Sequence, residues 1–309
     1  MLLIVYLITA PNSGSLLAFN GTIRTSLPLI LIALGQTVVI LTGGIDLSIG
    51  ALAALGSAVA VTMINAKSSP MEILVGLLAV LVVCAVGGLV NALAISLARL
   101  QPIIATFGTS FVFGGLALVL LPSSGGQVPL SVVIWFNKDA LVVSNAILIP
   151  AALIALWTCL MRTRYRDYLY SAGASPTAAY VSGVPVQGVR ISAYVIAGVF
   201  AGLAAIAALL ITGTGEPTAS LGLVLPSIVA VIVGGASFSG GQGGLVGTAF
   251  AALALGLLQT LLSFSGLPAQ WQPLAYGLAI LLALSLRRVR TALFALLRSV
   301  TRTSKVKTS

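Results

Sequence analysis

Ser239, Gly240, Gly241 and Gln242, within "GASFSGGQGG" (235–244), spell a tetrapeptide with which one class of ATPase grips the γ-phosphate of ATP. Hydrolysis would also need a phosphate cradle, G-x-x-x-x-G-K-[ST], whose backbone N–H groups and lysine hold the phosphates. The lysines are Lys67, Lys138, Lys305 and Lys307, and none follows a glycine. No apolar strand ending in Asp or Glu is available to hold magnesium. The chain therefore does not hydrolyse ATP, and its Ser-Gly-Gly-Gln must do something else.

Asp46 is the acidic residue embedded among apolar segments, beside Thr42, Gly43, Gly44 and Ser48. A carboxylate at membrane depth costs about 2.5–3.5 kcal/mol on insertion scales, so it faces a partner or a wet cavity. Two roles are open to it: capping the helix that starts near Leu47, or touching a solute or ion on a path. Gln36, Asn91, Thr106, Ser110 and Gln259 are polar positions inside apolar runs, where hydrogen bonding between helices is the default role. Glu216 reads as a loop acid, solvated or facing an external partner. There is no histidine, and Cys84 and Cys159 sit inside apolar runs, so His/Cys zinc sites, Ser-His-Asp chemistry and a disulfide framework are not indicated.

The elements that position these residues are membrane spans. Hydrophobic residues make up 59% of the 309 and charged residues 6%, against about 25% charged in a soluble domain; a water-facing surface cannot be covered so thinly. Apolar runs fall at 1–10, 26–42, 49–65, 71–97, 103–121, 141–161, 191–212, 222–235, 243–263 and 267–286. The expected fold is an all-α polytopic membrane protein with about ten transmembrane helices, some broken by Gly-rich segments. The first run would rise only about 15 Å as a helix, so either that span is incomplete or it does not cross as drawn.

Charge supplies an orientation. Seven of the fifteen basic residues lie in one tail: Arg287, Arg288, Arg290, Arg298, Arg302, Lys305 and Lys307. With that tail inside, Arg99 and the loop from Arg162 to Arg190 are inside too, whereas Arg24, Lys67 and Lys138 fall outside, an asymmetry of the positive-inside kind. The net charge of +10 is thus a topology signal, and no nucleic-acid-reading motif accompanies it. The expected organisation is a transmembrane domain over 1–286, with a cytosolic loop at 162–190, and a basic cytosolic tail over 287–309.

Two glycine clusters interrupt the spans, "GGIDLSIGALAALGSA" (43–58) and "GGASFSGGQGGLVGTA" (234–249), matching at a constant offset of 191. Paired interruptions of this kind mark broken helices that line a path, because irregular backbone at membrane depth survives only when packed in protein or facing a cavity. Gly43, Gly44, Gly234, Gly235 and Ser239 are the candidates there, together with Gln36, Asp46, Ser48, Asn91 and Thr106. Small residues at Gly87, Gly88, Gly114, Gly115, Gly198 and Gly202 suggest close helix packing. Within the 162–190 loop, Ser175 and Pro176 predict a helix start, as N-cap and first helical residue.

"ALGQTVVILTGGIDLSIGALAALGSA" (33–58) and "LPSIVAVIVGGASFSGGQGGLVGTAFAALALGLLQ" (225–259) resemble the signature regions of the ribose-type ABC transporter permeases. Blocks at 87–120, 171–206 and 271–284 agree in order, so the resemblance covers nearly the whole chain. It implies a multi-pass subunit of the bacterial cytoplasmic (inner) membrane with a cytoplasmic C-terminus, paired with a second permease, identical or paralogous. A cytosolic ABC ATPase that binds the ATP and an extracytoplasmic solute-binding protein are the other implied partners; no cofactor belongs to the permease itself, and it performs no catalysis. The 162–190 loop would carry the ATPase-coupling helix, with Gly173, Ser175, Pro176, Ala178, Ala179, Ser182 and Gly183 in it. The family usually has Asn and Glu where Ser175 and Thr177 stand here. The implied cargo is a small polar solute, a monosaccharide first; a nucleoside, a branched-chain amino acid or an autoinducer-type sugar derivative are alternatives, as is a proton-coupled secondary transporter in which Asp46 titrates.

Overall fold

A computed structural model describes residues 16–140 and 143–264, with 268–271 and isolated positions up to 285. The apolar run at 1–10, the basic tail at 287–309 and most of the 267–286 run lie outside the described residues. Residues up to Leu257 form one compact unit and Leu258–Ser309 a second. The second contains the end of the last long helix and a single 3-10 turn, Ala269–Trp271. The first is the frame of the molecule.

Its helices are α1 (Leu16–Leu41), α2 (Ile49–Met63), α3 (Pro70–Ser96), α4 (Pro102–Leu120), α5 (Leu130–Asn137), α6 (Asn145–Leu160), α7 (Arg164–Ala174), α8 (Pro176–Val181), α9 (Val186–Thr212), α10 (Val224–Val233) and α11 (Leu245–Phe264). Five stretches are long and apolar enough to cross a membrane: Asn20–Leu41, Pro70–Ser96, Pro102–Leu120, Val186–Thr212 and Leu245–Ser263. Strand pairing among the described residues is confined to a small antiparallel hairpin, Asp139–Ala140 with Val143–Ser144, and an isolated bridge between Gly125 and Gly215. The all-α membrane class is thus what the chain adopts.

Local chemistry sets several boundaries. α3 starts in a capping box, Ser69 N–H donating to the Glu72 carboxylate at 2.7 Å and Glu72 N–H to Ser69 Oγ at 3.4 Å, with Pro70 at the first helical position. α1 begins ten residues earlier than the apolar run predicted and takes Arg24 and Pro28 into the helix. Arg24 is therefore a helical residue, not a loop residue. α9 likewise starts at Val186, ahead of the predicted 191, and places Arg190 in its second turn.

α1 is the buried axis: Leu27, Leu31, Ile32 and Leu34 are fully enclosed, and α9 packs across both α1 and α3. The α9–α3 crossing is close because Gly198 lies against the carbonyl of Cys84, Gly202 against Leu81 and Cys84, and Gly88 against the carbonyl of Tyr194. A side chain at any of them would enter the neighbouring helix. Gly114 and Gly115 pack against nothing within 4 Å among the described residues. α3 and α4 turn large apolar residues outward, among them Val82, Phe107, Phe111 and Val119.

α2 and α10 are among the helices too short to cross alone. α2 has 15 residues and α10 has 10, about 22 Å and 15 Å against a hydrocarbon core of about 30 Å. α2 is preceded by non-helical chain, and α10 by a 3-10 turn, Ala219–Leu223, that runs straight into it. After α1 ends at Leu41, residues 42–48 turn back along it, so that Ile49 lies beside Gly35. α2 therefore starts about 9 Å inside the end of α1. After α9, residues 213–223 return alongside α2: Glu216 N–H donates to Ser57 Oγ (2.9 Å), and Gly50 packs against Ser220 and Val224.

Candidate functional site

The broken-helix segment 42–48 is held by hydrogen bonds from α1, α3 and α4. Asp46 is fully buried; its Oδ1 accepts from Ser48 N–H at 2.8 Å and from Ser48 Oγ at 2.7 Å, capping the start of α2. Asn91 of α3 donates to Ser48 Oγ at 2.6 Å and accepts from Thr109 of α4 at 2.5 Å. Thr106 of α4 donates to Ile45 O (3.2 Å) and accepts from Leu47 N–H (3.0 Å). With its amide oriented to satisfy both groups, Gln36 of α1 donates to Asp46 O at 3.0 Å and accepts from Asp46 N–H at 3.2 Å. Backbone that a continuous helix would have satisfied internally is thus satisfied by α1 and α4.

Gln36, Asp46, Ser48, Asn91 and Thr106, selected from sequence, form one network, with Thr109 as an unforeseen member. Asp46 Oδ2 has no hydrogen-bond partner among the described residues. Ser110, by contrast, turns back to its own helix and donates to Phe107 O. Glu216 is partly exposed and accepts from Ser124 Oγ.

The second glycine cluster meets the first. Gly241 N–H donates to Leu41 O at 3.0 Å. A methyl on Gly240 would stand 2.8 Å from both Gly173 O and Gly43 N, and one on Gly241 would stand 2.7 Å from Ala174 Cβ. Gly240 and Gly241 have φ of +79° and +67°, a region glycine enters without penalty. Gly43, at φ +78°, makes the first turn after α1. Gly234 and Gly235 close α10, Gly234 lying against Gly247 and Thr248 of α11, and Thr248 is tied to Thr37 of α1 by a 2.9 Å hydrogen bond. Ser239 contributes its carbonyl near Gly43.

The third component comes from the 162–190 loop. It folds as two helices: Ser175 Oγ accepts from Ala178 N–H (3.4 Å) ahead of Pro176, while α7 precedes them as an addition to the expected element. Gly173 of α7 lies against Leu41 O and Gly241 N. Tyr170 reinforces the junction by donating to Gly243 O at 2.7 Å, and Tyr165 is 2.9 Å from Ser192 Oγ of α9. Burial pushes both phenols above their ordinary pKa, so neither titrates near neutrality. Ala179 is buried, whereas Ala178, Tyr180 and Ser182 are exposed and Gly183, at φ +82°, has open space around it. The Tyr170 and Gly240–Gly241 contacts had no signature in the sequence beyond the glycines themselves.

No cluster of three or more His, Cys, Asp or Glu side chains that could hold a metal ion occurs among the described residues. What the arrangement offers is mechanical: α7, the end of α1 and the 237–243 turn share one backbone junction, and Gln36 of the buried polar lock stands on α1 less than about one and a half turns from it.

These features define a polytopic helical membrane protein whose broken helices converge on the α7–α8 helical pair. The family model described as "Branched-chain amino acid transport system / permease component" matches residues 18–284, and the chain belongs to that family. It is 34% identical over 271 residues to the ribose import permease protein of Escherichia coli, covering 86% of this chain and 83% of that one. It is 35% identical over 272 residues to the Bacillus subtilis ribose import permease protein, covering 85% and 82%. The autoinducer 2 import system permease protein of Escherichia coli is 33% identical over 250 residues, covering 78% and 74%. No solved structure matches significantly.

Proposed function

We propose that this chain is the membrane subunit of an ATP-driven importer of the cytoplasmic membrane and that its cargo is a monosaccharide or a close sugar derivative. The cargo assignment follows the names of the relatives, ribose and autoinducer 2 import permeases. The observation that carries the mechanism is the junction of Gly173, Leu41 and Gly240–Gly241, which ties the 162–185 helical pair directly to both broken helices.

In this reading α7 and α8 face the cytosol, with the basic tail on the same side, and the exposed Ala178, Tyr180 and Val181 seat in a partner ATPase that binds the ATP. ATP closes the ATPase pair, α8 moves with it, and α7 carries the displacement to Leu41 and Gly241. Two permease subunits then exchange outward and inward openings, and a solute-binding protein delivers the sugar from outside. A ligand drives such an exchange only through different affinity for the two states; here that ligand is ATP on the partner. In this reading Asp46 acts as a cap and lock, its Oδ1 accepting from both donors of Ser48.

Proteoliposomes carrying the permease, its ATPase and its binding protein test this reading. Labelled ribose should enter only with ATP and should be unaffected by a protonophore. Uptake that needs a proton gradient but no ATPase would refute it.

A further inference from the structure

Beside the junction, between the end of α3, the start of α4 and the first turns of α9, lies a cavity of about 360 Å³, within the 300–1,000 Å³ range typical of small-molecule sites. Arg99, Arg190, Tyr194, Ser96, Gln187 and Thr42 line it. None of the chain's five acids does; Asp46 stands closest in sequence, and its Oδ1 is occupied by Ser48. Two guanidinium groups against one buried carboxylate leave the cavity positive.

Two of the hydroxyl side chains that line it, Ser96 and Tyr194, are unpaired among the described residues. Tyr194 is 1% exposed, yet its hydroxyl has no hydrogen-bond partner among the described residues, and neither has the Ser96 hydroxyl. Gly44 makes room for that tyrosine, since a methyl there would stand 2.6 Å from its oxygen. Arg99 has φ +54°, the left-handed conformation that glycine favours at a helix end. Leu100 N–H bonds Ala94 O (3.4 Å) and wraps the end of α3 around it. Holding a bulky cation where glycine is favoured is the kind of local strain found at ligand clamps.

We propose that this cavity binds a hydroxylated phosphate ester, its phosphate gripped by Arg99 and Arg190 and its hydroxyl groups met by Tyr194, Ser96 and Gln187. Guanidinium forks match phosphate oxygens in geometry and charge, and the volume leaves space for a polyol beyond the phosphate. Because Thr42, Gly43 and Gly44 form one wall, an occupant bears on the 42–48 segment and slows its movement. A phospholipid headgroup offers the same chemistry from the membrane side.

The test is calorimetric titration of ribose 5-phosphate into the full-length permease in nanodiscs of phosphatidylcholine, which requires no transport partner and so stands or falls apart from the transport reading. Saturable binding is expected, with ribose and inorganic phosphate each binding more weakly. Arg190→Gln and Tyr194→Phe should weaken it, the former by about tenfold or more as one charge-assisted contact is lost. Arg99→Gly should also weaken it while raising thermal stability, since glycine suits the backbone there, so the loss is separable from misfolding. If nanodiscs containing phosphatidylglycerol block the sugar phosphate in the parent protein but not through Arg190→Gln, the occupant is a lipid headgroup at the same site. Absence of saturable binding by either source, or binding indifferent to both arginine substitutions, overturns the proposal.

Discussion

Gly173 of α7 sits directly beneath the carbonyl of Leu41, the last residue of α1, with no side chain between the two backbones. A methyl group at 173 would overlap that oxygen and stand 2.6 Å from Gly241 N. Gly173→Ala should therefore push α7 away from the broken helices, with an overpacking cost of about 1–3 kcal/mol. ATPase stimulation by substrate should fall together with uptake, and thermal unfolding should shift down; a fully coupled alanine variant would remove the junction from the mechanism.

Gly240 and Gly241 carry the same logic with an added backbone term. Either alanine substitution places an L-residue at positive φ, at about 1–2 kcal/mol, besides the collisions with Gly173 and Ala174. Each should destabilise more than alanine at Gly244, where a methyl meets nothing within 4 Å among the described residues and the backbone is not left-handed. Comparing melting temperatures of the three variants in detergent checks the order.

Asp46 separates into charge and acceptor. Asp46→Asn keeps an oxygen for Ser48, so the fold should persist within about 1 kcal/mol. Asp46→Leu leaves the buried Ser48 N–H and hydroxyl without their acceptor, at about 1–3 kcal/mol for each unpaired group. The expected outcome is near-normal uptake for asparagine and loss of folded protein for leucine, read by uptake and by monodispersity on size exclusion.

Thr106→Val is nearly isosteric and tests the lock from α4. It removes the acceptor of Leu47 N–H and the donor to Ile45 O, so stability should drop by about 1–3 kcal/mol. Ser110→Ala, one turn further along α4, is the control and should change little, because that hydroxyl serves only Phe107 O among the described residues.

Ala178→Glu tests the exposed face of α8. Nothing in this chain is disturbed by it, so the permease should insert and melt normally, yet uptake should fall as the partner seat is blocked. Equal uptake would leave α8 without a docking role.

The readable part of this molecule followed from composition and from breakers. Apolar runs located the long helices, Ser175-Pro176 located the start of α8, and polar residues stranded in apolar sequence marked the lock around Asp46. The Ser-Gly-Gly-Gln stretch has a conformational purpose: positive-φ glycines at 240 and 241 let it approach α1 and α7. Less was legible where tertiary context overrode local signals. Arg24 lies beyond the predicted run, yet α1 extends over it, with Pro28 in mid-helix, since membrane helices tolerate proline where neighbouring groups re-satisfy the backbone it frees. Gly114 and Gly115 look like packing glycines and pack against nothing within 4 Å among the described residues, because glycine content alone does not say which face of a helix is covered. The clustering of Arg99, Arg190 and Tyr194 depends on how α3 crosses α9, which no local pattern encodes.

The glycine junction also bears on stiffness. Side chains between moving parts act as springs, swapping rotamers and absorbing a displacement before it reaches the next element. At Gly173, Gly240 and Gly43 that cushioning is absent, so main chain bears on main chain. In the proposed mechanism a lever built in this way would have little backlash: a small stroke at α8 would reach the ends of α1 and α10 with little of it absorbed on the way.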